Sequence, residues 1–146
     1  MRNSKRIVLD IEANNLFNNM LDFSKKPLRL KDTARLWCIG LRDMDDPNIH
    51  KLLVLEDCTR ENLMEELSSC VELTGHNIVN YDLPVLQAFG LLDYTVGYMN
   101  QSATLFGKPA LLTDTLLWSK LLQPDRLGGH SLDSWGKRVG NLKQDF

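Results

Sequence analysis

The segment RIVLDIE, residues 6–12, constrains the fold of this chain more than any other. Four of its seven residues are apolar and three of those are β-branched, which predicts a strand buried on both faces at the centre of a sheet. Asp10 and Glu12 interrupt the pattern, because carboxylates at i and i+2 point to the same side of a strand and uncompensated buried charge is costly. Hard divalent cations such as Mg²⁺ and Mn²⁺ bind carboxylate oxygens and would compensate it. The alternative is that the strand ends at Leu9 and both acids are solvated.

Composition limits the class of protein. A chain of 146 residues with 43% hydrophobic and 25% charged residues is sufficient for one globular domain. No run approaches the roughly 20 apolar residues of a membrane span, and the polar start has no signal-peptide core, so we expect a cytosolic protein. Three cysteines without a CxxC pair indicate reduced, buried thiols. The net charge of −2 means that nucleic acid would have to be held by a local patch.

The remaining pattern alternates strands and helices. Residues 13–33 lack periodicity and predict a loop, with a short helix as an option, whose basic run is either solvated or in contact with phosphates. Residues 91–110 are rich in turn-forming residues and poorly periodic, so their secondary structure remains unassigned. The predicted elements are a hairpin of 35–43 and 50–55, a helix capped by Thr59, a short strand at 73–77, a helix from Asp82 to Gly90, a short strand at 111–114, a helix over 115–122 capped by Asp114, and a helix capped by Ser131 and ended by Gly140. This is an α/β pattern with a mixed sheet flanked by helices, and we expect Trp118 and Trp135 in its core.

An acid-x-acid strand, followed much later by Asn77-x-x-x-Tyr81-Asp82, resembles the first and second motifs of the DEDD (DnaQ-like) 3′-to-5′ exonucleases. Those enzymes have a ribonuclease-H-like fold. Four segments together are similar to the proofreading exonuclease domain of bacteriophage family A DNA polymerases. They are DIEANNL at 10–16, HNIVNYDLPVL at 76–86, DTLLWSKLL at 114–122 and GGHSLDSWGKRVG at 128–140.

The resemblance implies a single exonuclease domain over residues 1–146, with motif I at 7–12 and motif II at 76–86. Asp10 would bridge two Mg²⁺ or Mn²⁺ ions, Glu12 would hold the first ion together with the attacking water, and Asp82 would help to hold the second. The substrate would be the 3′ end of single-stranded DNA, released as nucleoside monophosphates. The terminal nucleotide would contact Asn77, Tyr81 and Leu16.

The sequence departs from the family's pattern at the third motif. The family's third motif, a Tyr or His four residues before an Asp, is absent after Gly140, because Asn141 occupies the position four residues before Asp145. The domain is therefore expected to be C-terminally incomplete. It would be a fragment of a polymerase, one product of a split gene whose partner polymerase chain supplies the rest, or a non-catalytic nucleic-acid-binding or replication-assembly module. An RNA-directed exonuclease of the same superfamily is a further alternative. If the gene is a phage's, the compartment is the host cytoplasm.

Two polar residues resemble site residues but are expected to be structural. Asp114 recurs in the resemblance without being a metal ligand, and its position before a helix predicts an N-cap. His130 lies near a helix start and is expected to assist helix entry rather than catalysis.

Overall fold

A computed structural model describes residues 4–27 and 29–141 of the chain. The strands are β1 Lys5–Ala13, β2 Leu21–Asp22, β3 Arg29–Leu30, β4 Leu36–Asp43, β5 His50–Val54, β6 Cys70–Gly75, β7 Tyr94–Val96, β8 Ser102–Leu105 and β9 Lys108–Asp114. The α-helices are α1 Phe17–Met20, α2 Arg60–Leu67, α3 Leu83–Ala88, α4 Thr115–Leu122 and α5 Leu132–Val139. A π-helical turn, Ile78–Asp82, leads into α3, and Leu55–Asp57 and Tyr98–Asn100 form 3₁₀ turns.

Seven strands form one mixed sheet in the order β5-β4-β1-β6-β9-β8-β7. Strands β1, β6 and β9 are parallel neighbours. Strand β4 runs antiparallel to β1, β5 to β4, β8 to β9 and β7 to β8. The predicted α/β class and the hairpin after β1 are confirmed. Strands β2 and β3 form a separate two-stranded ladder.

Strand β1 is buried on one face only, so the expectation of two buried faces is wrong. Buried and exposed residues alternate along it, with Ile7, Leu9 and Ile11 in the core and Val8, Asp10 and Glu12 on the other face. Most of that face is open to solvent, since Leu52 of β5 and Leu111 of β9, which lie on it, are exposed as well, whereas Thr74 of β6 is buried. The strand also continues to Ala13 rather than ending at Leu9. The two acids therefore extend from an intact strand into an exposed surface.

The helix caps agree with the sequence. The Thr59 hydroxyl accepts from the Asn62 amide at 3.1 Å, the Asp114 carboxylate accepts from the first turn of α4, and the Ser131 hydroxyl accepts from the Ser134 amide. Gly140 follows α5 with a left-handed φ of 75°. These predictions held because each cap bond joins residues two or three positions apart.

The unassigned region contains an antiparallel hairpin. Strands β8 and β9 are joined at Phe106 and Gly107, whose φ angles of 51° and 79° define a turn with two left-handed residues. Such a turn usually contains Asn-Gly or Asp-Gly, so the Phe-Gly sequence found here does not predict a hairpin. Strand β7 adds to β8 and completes the edge of the sheet.

The C-terminal helices pack loosely against the rest. Trp118 is 43% exposed, so its predicted place in the core is wrong, and Trp135 is only partly buried. No side chain of α5 is fully buried. All three cysteines are free thiols, but they were also expected to be buried, and Cys38 and Cys58 are only partly buried whereas Cys70 is buried. Within the described residues, none of the helices combines the length and apolar character needed to cross a bilayer.

Candidate functional site

The candidate site lies where the carboxyl ends of β1, β6 and β9 meet at one edge of the sheet. Parallel strands bring their carboxyl ends together, and such edges are where α/β proteins commonly bind ligands. Asp10 and Glu12 come from β1, Asp82 from the turn after β6, and Asp114 from the last position of β9. The topology thus brings four carboxylates from three separate segments of the chain to the same end of the sheet.

Asp82 is held against β1 by its own side chain. Its Oδ2 atom accepts a hydrogen bond of 3.1 Å from the backbone amide of Ile11, the residue between the two acids of the first motif. The residue is 2% exposed. Its φ and ψ of −59° and −50° are helical and its side chain caps no helix, so a plain N-cap does not explain this carboxylate.

Burial is the main reason that the pKa of Asp82 rises from 3.8 to about 7. The negative charge of Asp10 adds to the shift and that of Asp114 contributes less, while hydrogen bonds from the amides of Ile11 and of Asp82 itself oppose it. The charges that act on this carboxyl group are therefore both negative. A bound cation would relieve the same unfavourable charge.

Gly75 allows the segment after β6 to approach β1. A Cβ atom placed on Gly75 would lie 2.9 Å from the Cβ of Ile78 and 3.0 Å from the carbonyl oxygen of Leu9. Both distances are shorter than ordinary van der Waals contacts, so a side chain here would push the turn away. The glycine therefore helps to bring Asp82 to the backbone of Ile11.

Asp114 has two structural tasks, of which the sequence predicted one. It caps α4 by accepting from the amide of Leu116 at 3.0 Å. It also accepts from the amides of Asn77 at 2.9 Å and Val79 at 3.1 Å, which fixes the turn that leads to Asp82. Asn77 needs this support, because its left-handed φ of 60° is uncommon for a residue other than glycine.

Two of the predicted nucleotide-binding residues, Tyr81 and Leu16, lie on segments that contact each other. The Tyr81 hydroxyl donates to the carbonyl oxygen of Asn15 at 2.9 Å, which places its ring beside the segment that follows β1. Leu16 comes next and is 70% exposed. Burial raises the pKa of Tyr81, and the charges of Asp82, Glu12 and Asp10 add to that effect. Asn77 begins the turn that ends at Asp82, and its carbonyl accepts from the Tyr81 amide at 3.0 Å.

Two of the three histidines, His76 and His130, contact residues of α4. The Nδ1 atom of His76 lies 2.9 Å from the Thr115 hydroxyl, and burial lowers its pKa. Trp135 donates from Nε1 to the Ser119 hydroxyl at 2.7 Å, and the Ser119 oxygen lies 2.7 Å from Nδ1 of His130. The Ser119 hydroxyl therefore bonds both to Trp135 and to His130, and its bond to Trp135 joins α5 to α4. His130 has a structural contact, in line with the helix-entry role predicted for it.

The donor set suits a hard divalent cation. Asp10, Glu12 and Asp82 offer carboxylate oxygens, the ligands that Mg²⁺ and Mn²⁺ prefer. Within residues 4–27 and 29–141, however, no three His, Cys, Asp or Glu side chains already form a compact metal-binding group. The fit therefore rests on the chemistry of the three side chains and on the buried Asp82, whose ionised form needs a cation nearby.

Comparison with protein-family models gave no match for this sequence, and comparison with curated proteins gave none either. Function can therefore be argued only from the carboxylates at the edge of the sheet and from the topology that assembles them.

Proposed function

We propose that this chain is a 3′-to-5′ exonuclease domain of ribonuclease-H-like fold that hydrolyses the terminal phosphodiester of single-stranded DNA and releases nucleoside monophosphates. The observation that carries the proposal is the hydrogen bond from the Ile11 amide to Asp82. It joins the two motifs through residues that are 71 positions apart, and an exonuclease site would require the carboxylates of both motifs to be close together.

The topology of the sheet supports this fold. Numbered by their order in the chain, the five strands β1, β4, β5, β6 and β9 lie in the order 3-2-1-4-5, and only the second runs antiparallel to the others. That arrangement is expected of a ribonuclease-H-like domain. Strands β7 and β8 would be an addition at its edge.

The chemistry follows from the carboxylates. Divalent metal ions would supply relief of negative charge at the scissile phosphate and stabilisation of the leaving 3′ oxygen. Asp10 would hold both ions, Glu12 the first and Asp82 the second. Because Asp82 is buried and fixed on the Ile11 amide, it would hold its ion at a constant position relative to β1.

The terminal nucleotide would lie between the two motifs. Tyr81 is oriented by its bond to the Asn15 carbonyl, so its ring would contact the sugar or base while the exposed Leu16 packs on the base from the other motif. Asn77 would contribute its side-chain amide from the turn before Tyr81. In this arrangement Tyr81, Leu16 and Asn77 would orient the terminal nucleotide and exclude water from the face of its base.

The experiment is release of nucleotide from a 3′-labelled single-stranded DNA in Mn²⁺. The parent is compared with Asp10→Ala and with Glu56→Gln, which removes an exposed carboxylate outside the site. The proposal is supported if Asp10→Ala lowers the rate of nucleotide release by about a hundredfold or more while Glu56→Gln leaves it unchanged. Absence of cleavage in all three rules out catalysis by this chain alone.

A non-catalytic nucleic-acid-binding or replication-assembly module is the second candidate, favoured by the exposed apolar surface of α4 and α5. Its members are Trp118, Leu121, Leu122, Leu132 and Val139. Beside them lies a groove of about 350 Å³, lined in part by His76 and Trp135. A partner polymerase chain would cover such a surface. This candidate would be supported if the protein binds the polymerase chain in EDTA and if the Asp10→Ala variant binds it as well.

A further inference from the structure

A basic arm, residues 21–35, connects α1 to β4, the strand that pairs with β1. It comprises β2, β3 and the residues up to β4, apart from Leu28, which lies outside the described residues. The arm contains five Lys or Arg and two Asp, whereas the whole chain has a net charge of −2. Positive charge is therefore concentrated in one short segment. Its basic residues, all exposed, are Lys25, Lys26, Arg29, Lys31 and Arg35.

The base of the arm is tied beside the carboxylate site. Asn14, two residues after Glu12, accepts from the Arg35 amide at 2.9 Å and donates to the Thr33 carbonyl at 2.7 Å. A further hydrogen bond of 2.7 Å, from the Lys31 amide to the Met20 carbonyl, closes the ladder of β2 and β3. The arm is thus anchored to the end of β1 rather than being a detached loop.

Arg35 donates from Nη1 to the carbonyl oxygens of Asp32 and Ala34, so the accessible cations of the arm are Lys25, Lys26, Arg29 and Lys31. Within the described part of the chain, the ion pairs formed by lysine and arginine engage Arg6, Arg60 and Lys137, none of which belongs to the arm. Phe23, at the start of the arm, is 68% exposed. An exposed aromatic ring next to cations is the combination that binds unpaired nucleotides, by stacking on a base while the cations contact phosphates.

We propose that the basic arm binds the single-stranded nucleic acid whose 3′ end enters the carboxylate site, with Phe23 stacked on an unpaired base. Phosphates near Asp10 and Glu12 are repelled by those acids, so a nearby concentration of cations is needed to hold the strand. A paired base could not stack on Phe23, which favours single strands over duplex. The direction of the strand rests on the proposed function, but the binding itself does not.

The test measures binding of a labelled dT oligonucleotide of about 12 nucleotides by fluorescence anisotropy, with the full chain in EDTA. The variant Lys25→Gln/Lys26→Gln is compared with Lys51→Gln/Lys120→Gln, which removes equal charge from exposed positions outside the arm. The arm pair should weaken binding about tenfold and lower the salt slope by about 1.4, equivalent to two phosphate contacts. Phe23→Ala should weaken it about tenfold with the slope unchanged. The control pair should change binding less than about twofold.

Several results would overturn the assignment: no binding by the parent, equal weakening by both lysine pairs, duplex bound as tightly as the single strand, or polyglutamate competing as well as the oligonucleotide. Polyglutamate competition would indicate an acidic protein partner instead. The two proposals fail separately. Binding that depends on the arm, without nucleotide release, contradicts the proposed exonuclease activity and supports the proposed role of the arm. Nucleotide release, with binding unaffected by the arm variants, supports the exonuclease activity and contradicts the role of the arm. Thermal unfolding of each variant verifies that the exposed substitutions leave the fold intact.

Discussion

The Oδ2 atom of Asp82 lies 3.1 Å from the backbone nitrogen of Ile11, so one carboxylate both packs the turn after β6 onto β1 and stands beside the two acids of β1. A structural and a chemical role meet in the same side chain. Replacing Asp82 with alanine would leave a buried amide without its acceptor and remove a proposed metal ligand at once. Asparagine separates the roles, because its amide oxygen still accepts while its charge is gone.

We expect Asp82→Asn to be more stable than the parent at pH 8 and closer to it at pH 5, both in EDTA. The pKa of Asp82 in the folded protein is about 7, against an ordinary value of 3.8, so the folded state binds more protons than the unfolded state between these pH values. Stability from this group is complete below about pH 4 and is lost as the pH rises to 7, at up to about 1.4 kcal/mol per pH unit. Urea unfolding of both proteins at the two pH values measures the difference. A difference independent of pH would mean that Asp82 titrates normally.

Mn²⁺ should stabilise the parent against thermal unfolding. A ligand that binds only the folded state stabilises it by about 2.7 kcal/mol at a hundred times its dissociation constant. Asp10→Asn should lose most of this stabilisation, because it removes the carboxylate proposed to contact both ions, and Glu56→Gln should retain it. The shift in the midpoint of unfolding is read at increasing Mn²⁺ for all three proteins. An equal shift in Asp10→Asn would place the ion elsewhere.

The contacts that assemble the site were beyond reach of the sequence. The caps at Thr59, Asp114 and Ser131 follow from local rules, since the donor lies within three residues of the acceptor. The bonds from Ile11 to Asp82 and from Asn77 to Asp114 join residues 71 and 37 positions apart. No periodicity reports such pairs.

The exposed face of β1 illustrates the same limit. A run of apolar residues predicts a strand but does not tell how many of its faces are covered, because that depends on elements elsewhere in the chain. Val8 lies in such a run and is 36% exposed. The buried carboxylate that favours a bound cation is therefore that of Asp82, because Asp10 and Glu12 are exposed.

Gly75→Ala should destabilise the protein by about 1–3 kcal/mol, as overpacking of a filled interior does. The added methyl group would lie 2.9 Å from the Cβ of Ile78, so the turn that carries Asp82 must move. Gly40→Ala is the matched control in the same sheet, since its methyl group would meet the Asp10 carbonyl at an ordinary 3.6 Å. Chemical unfolding gives the two free energies. Equal destabilisation by both substitutions would show that Gly75 is no closer to its neighbours than Gly40.

Ser119→Ala should loosen α5 without lowering global stability much. Ser119 accepts from Nε1 of Trp135 and bonds to His130, whereas α5 buries no side chain completely. The Arg126 guanidinium, 3.9 Å from the centre of the Trp135 ring, is a second contact that holds this helix. Without the hydroxyl, we expect amides of α5 to exchange about tenfold faster, the equivalent of about 1.4 kcal/mol of local stability, while those of β1 and β6 stay protected. Ser68→Ala is the control, because the Ser68 hydroxyl donates to the Glu65 carbonyl of α2, and it should leave exchange in α5 unchanged. Unchanged protection of α5 in Ser119→Ala would mean that the apolar contacts of α4 hold the helix instead.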